Sequence, residues 1–85
     1  MGDLVEAARA LLTDGTTPEE VFVALAVEKH RHYEVALAVC VAVGNSKVDA
    51  IERLTADDEF WTDDTLGDAA RRARVLQAAG VFELR

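Results

Sequence analysis

Few side chains in this sequence are placed to do chemistry. His30 and His32 form a His-x-His pair between Glu28 and Glu34, and imidazoles beside carboxylates are the usual raw material of a metal site. Zinc asks for three or four nitrogen or sulfur ligands at recognisable spacing, whereas the single cysteine, Cys40, stands eight residues beyond His32 in an apolar run. The pair therefore reads as a solvated polar stretch. Cys40 lacks the cationic, accessible setting that makes a thiol nucleophilic and reads as a small buried hydrophobe. The acids Asp57, Asp58, Glu59, Asp63 and Asp64 are interrupted by Trp61 and lack the sixth-position glycine of a calcium loop. None of the spacings of a hydrolase, a phosphate-binding loop or a dinucleotide fold is present. No catalytic residue, cofactor or metal is expected, and the chain reads as non-enzymatic.

The elements that would position such residues are marked by their starts and stops. Thr17 precedes Pro18, which suits a first helical position, and Glu20 completes a capping box. Ser46 with Asp49 predicts a helix from Lys47, Thr65 with Asp68 predicts one from Leu66, and Asp3 with Glu6 is an acid-capped analogue at the N-terminus. Gly15, Gly44 and Gly80 each follow a periodic apolar segment, where a glycine ends a helix. Leu4, Val5, Ala8, Leu11 and Leu12 form one stripe. Val48, Ile51 and Leu54 recur every third residue, and Leu66, Ala69, Ala70, Ala73 and Leu76 make an alanine-rich seam against Arg71, Arg72 and Arg74. The apolar tail Val81, Phe82 and Leu84 is expected to dock, with Val81 folding back on the turn before it.

Between Pro18 and Val43 there is neither glycine nor further proline, and Val-Ala-Leu-Ala-Val occurs twice. One helix of about 26 residues would carry its apolar stripe through Glu28 and Lys29; a break near His30 to His32 lets both apolar segments face one core, and is favoured. Valine enrichment leaves a hairpin as a third option, opposed by the alanines and the helical neighbours. The two-copy string is too short for a repeat architecture.

Residues 21 to 27 and 35 to 43 are apolar around nearly their whole circumference, and a helix of that kind wants burial on every side. A short chain has little interior in which to enclose two. The expectation is an exposed apolar face, formed by Phe22, Val23, Val27, Val39 and Val43, that meets a partner or a second copy. The competing reading is that small Ala and Val side chains are all covered in a compact bundle. Phe60 and Trp61, framed by acids, are a candidate contact for a basic partner; alternatively both rings turn inward and lock the last helices together.

Two stretches carry family-level patterns. Tyr33 to Val43, Gly44, Asn45, Ser46 and Lys47 to Leu54 have the lengths of a helix-turn-helix, but Asn45 stands where an apolar plug is usual, and Asp49 and Glu52 would face phosphates. Gly-Asn-Ser-Lys-Val-Asp-Ala-Ile-Glu superficially resembles the prosthetic-group serine of acyl carrier proteins over a few residues. Carrier domains have Asp-Ser-Leu after a long loop; here Ser46 follows an apolar segment and reads as an N-cap.

Composition bounds the rest. The 85 residues allow one domain, 1–85, and 51% apolar content with one proline argues for a folded chain. A net charge of −7 repels nucleic acid and anionic membranes. The start Met-Gly-Asp-Leu-Val-Glu has acids where an export signal is basic, and the longest apolar run, Val35 to Val43, is about half the ~20 residues needed to span a bilayer. An unpaired cysteine suits a reducing cytoplasm. The reading is an all-α, compact bundle of about five short helices with a docked apolar C-terminal tail. It would be cytoplasmic and act as an adaptor or neutralising, immunity-type binder, or by homo-oligomerisation. A helix-turn-helix DNA-binding regulator is the alternative, and a purely structural helical domain the third; no small-molecule substrate is indicated.

Overall fold

The computed structural model describes residues 2–26, 31–56, 59–62 and 68–84, and among these the chain is all-helical. Six helices follow in order: α1 (Gly2–Thr13), α2 (Pro18–Ala26), α3 (His32–Val43), α4 (Lys47–Thr55), α5 (Glu59–Thr62) and α6 (Ala69–Ala78). The bundle expected from the sequence is present, with α5 a single added turn.

Two of the predicted caps are in place. The Thr17 hydroxyl accepts from the Glu20 amide at 3.3 Å, and the Ser46 hydroxyl accepts from the Asp49 amide at 3.2 Å, each satisfying a donor that the first helical turn leaves orphaned. Two starts differ from expectation. Asp3 lies inside the first turn of α1, where it complements the helix dipole. α6 begins at Ala69, because Asp68 is extended (φ −73, ψ 121) and its own carboxylate accepts from the Ala70 amide; Thr65 and Leu66 lie outside the described residues. α2 and α3 are separate helices, as favoured, with Arg31 extended ahead of His32. Residues 27–30 between them, Val27 and His30 included, lie outside the described residues.

Gly44 (φ +129) and Gly80 (φ +75) occupy backbone that a side chain would strain. At each, the amides of the glycine and of the residue after it return to the last turn: Gly44 to Val41 and Asn45 to Cys40, Gly80 to Gln77 and Val81 to Leu76. These are Schellman closures, and the second turns the tail back into the protein as expected. Val81 and Phe82 are buried, while Leu84 is 64% exposed.

α3 is the central helix, packed against α1, α2 and α4, while α2 packs on α6. Every residue from Val35 to Cys40 is buried. From α2 the core takes Val21, Phe22 and Leu25, and the Phe22 ring meets the tail's Phe82 with centroids 5.9 Å apart. This overturns the expected apolar face at two of its residues. Phe22 and Val39 are fully buried, Val23 and Val43 half-buried. Two physical causes account for it: Ala36 and Ala38 add little width to α3, so neighbours approach closely, and the docked tail supplies apolar cover that a count of helices overlooks.

Candidate functional site

Residues of α4, α5 and α6 come together around a concave part of the described surface. There a cleft of about 230 Å³ is lined by Leu54, Phe60, Trp61, Val75, Leu76 and Val81. Val75 is 42% exposed, and Phe60 and Trp61 are half-buried. Arg53 and Ala56 form the edge shared with a more open depression of about 520 Å³ that runs toward Gly80, Glu83 and Leu84. The acidic aromatic stretch thus turns its rings partly inward while leaving part of each at the surface, between the two alternatives read from the sequence.

Each wall has an identifiable cause. The Trp61 indole N–H donates to the Leu54 carbonyl at 2.6 Å, satisfying one of the acceptors that the last turn of α4 leaves open. The indole meets Phe60 and Tyr33 edge to face, at 4.7 and 5.4 Å between centroids, in the arrangement that the aromatic quadrupole favours. Behind the rings lies Arg72, only 6% exposed. Its guanidinium sits 5.2 Å from the Phe60 centroid and 5.6 Å from that of Trp61, within cation–π range. Through Nη2 it donates to the Phe60 carbonyl at 3.2 Å, and Nη1 lies 2.9 Å from His32 Nδ1. One buried cation therefore ties together the start of α3, the turn α5 and the helix α6.

Sequence reading set Arg72 on the polar side of α6 with Arg71 and Arg74, which are indeed exposed. The signal for its burial was present. Ala69, Arg72, Ala73 and Leu76 fall at i, i+3, i+4 and i+7, the spacing of an inward stripe. Asn45 was also missed as an anchor. Buried to 6% exposure, it donates through Nδ2 to the Cys40 carbonyl at 3.2 Å and the Glu83 carbonyl at 3.1 Å. Arg53 Nη1 donates to the Val81 and Glu83 carbonyls at 3.2 and 2.8 Å. The tail is thus held by its backbone as well as by Val81 and Phe82.

The reactive residue types have structural surroundings. His32 is half-buried at the head of α3, and burial together with the Arg72 guanidinium lowers its pKa from the ordinary 6.5. Cys40 donates its S–H to the Val81 carbonyl at 3.2 Å, and burial pushes its pKa up to about 11, against a small opposing pull from Arg53. It is held as a thiol, not a nucleophile. Among the described residues no three His, Cys, Asp or Glu side chains gather where they would hold a metal ion, and no helix is long and apolar enough to cross a membrane. Comparison with family models, with curated proteins and with solved structures returns no match to this chain.

Proposed function

We propose that the protein acts by association, taking a large apolar side chain of a partner protein into the cleft between α4, α5 and α6 and presenting carboxylates to basic residues beside it. The observation that carries this reading is the half-buried Phe60–Trp61 pair, with Val75 exposed in the same cleft, whereas Val35 to Cys40 of the central helix are buried. Tryptophan in a partly open pocket is a frequent anchor of binding energy. The exposed acids Glu52 and Glu59 adjoin cleft residues in sequence, and with a net charge of −7 they favour a cationic partner surface and speed its approach.

This reading is non-enzymatic and needs no cofactor. A reduced, buried Cys40 suits the cytoplasm. The outward residues of α4, among them Lys47, Val48 and Glu52, mix charge and apolar surface and give the DNA-binding alternative no phosphate-facing stripe. The test compares wild type and V75D as baits, with circular dichroism and thermal unfolding to show that both are folded. A partner retained by wild type and lost with V75D is the expected result; identical captured sets contradict it. Light scattering run alongside separates a foreign partner from a second copy, since a monomer at high concentration removes self-association.

A further inference from the structure

The contact between His32 and Arg72 constrains where the imidazole proton sits. A guanidinium has only donors, so at 2.9 Å Arg72 Nη1 is the donor and His32 Nδ1 the acceptor. The ring therefore carries its hydrogen on Nε2 and is uncharged. A proton arriving from solvent at Nδ1 consumes the lone pair that accepts from Arg72, and sets two cations against each other in a partly buried place. Arg72 also holds α5, through the Phe60 carbonyl and both rings of the cleft wall, beside the Trp61 bond to the Leu54 carbonyl.

We propose that His32 is a proton-operated latch on the cleft: unprotonated, it steadies Arg72 and with it the Phe60–Trp61 wall; protonated, it releases that wall while the helical core stays folded. Among the described residues, Arg72 from α6 is the charged group facing the imidazole. α2 presents the Phe22 ring, edge to face at 5.6 Å, and α5 is reached through the shared guanidinium. On its own element His32 stands in the first turn of α3, where the helix dipole also opposes a positive charge. Burial and the Arg72 guanidinium both disfavour the protonated ring, so its folded-state pKa lies below that of the unfolded chain. The stabilising contribution is complete above about pH 6.5 and is lost as pH falls through the lower, folded value. The consequence for partner binding rests on the docking reading above; the latch itself does not.

The sole tryptophan reports on the wall directly, so the test is a titration of Trp61 emission in the free protein from about pH 8 to about pH 5, with far-ultraviolet circular dichroism at each point. The expected result is a one-proton red shift with its midpoint below 6.5 and unchanged helical signal. H32N, whose amide oxygen replaces Nδ1 as a non-titrating acceptor, should flatten the transition, and H30N should leave it in place. A flat wild-type signal, a transition surviving in H32N, or loss of helix in step with the emission change would each overturn the latch. Should Trp61 respond as expected while the affinity of a captured partner stays constant over the same range, the latch stands and the docking reading at this cleft fails.

Discussion

The interior around α3 and the corner around α5 solve opposite problems. α3 buries six consecutive residues, Val35 to Cys40, with no charged group among them. Small side chains and a docked tail close the space around those six residues. At the corner, the buried group is a guanidinium, held by a neutral imidazole, a backbone carbonyl and two ring faces. Apolar packing carries no titrating group, whereas the contacts of this cation include a titratable imidazole. A chain short of interior has thus placed its adjustable contacts at one edge and its fixed contacts in the middle.

The largest expected effect lies in the fixed region. Phe22→Ala removes a fully buried ring that bridges α2 to Phe82 and should cost about 3–5 kcal/mol, read from the urea midpoint. A loss under ~1 kcal/mol would show that the centre repacks freely and would erase the contrast. Second is Arg72→Ala, which deletes the cation–π contacts and strands two acceptors; about 2 kcal/mol is expected from the sum of these terms. Its signature is a red-shifted Trp61 emission with near-native helix content, and an unshifted Trp61 would mean that the ring wall stands without Arg72.

Smaller effects sharpen the picture of the tail. Asn45→Ala removes a donor from the Cys40 and Glu83 carbonyls and should cost about 1–2 kcal/mol, with amide exchange accelerating at Val81 to Glu83 more than in α1. Uniform acceleration would show that the tail is not a separate unit. Ser46→Ala removes one cap and should cost about 1 kcal/mol, visible as fraying at the start of α4 and nowhere else.

Much of the fold was legible because caps and stops are local chemistry. Thr17–Pro18, Ser46, Gly44 and Gly80 act within a few residues of themselves, and the structure bears each out. The start of α3 is equally local, with Arg31 extended ahead of His32. Failures came where the outcome depends on distant partners. Asp68 caps α6 by accepting from the Ala70 amide, a role that the reading of Asp68 as a capping-box acid did not give it. Phe22 and Val39 read as surplus apolar surface because what covers them lies elsewhere along the chain, for Phe22 the tail's Phe82. Arg72 was read by its charge, not by its register with Ala69, Ala73 and Leu76. The aromatic pair was visible as a candidate, but its half-open setting depends on the Leu54 carbonyl and on Arg72 together, and no periodicity encodes that.

The central claim is that the α5–α6 corner, and not the other exposed apolar residues Val48 and Leu84 (66% and 64% exposed), is the surface a partner occupies. Amide and indole chemical-shift mapping, with a partner that wild type captures and V75D does not, tests this most directly. The expected result is perturbation concentrated at Leu54, Phe60, Val75, Ala79 and the Trp61 indole N–H. Perturbation confined to Val48, Gly44 and Leu84, with the indole resonance unmoved, would contradict it.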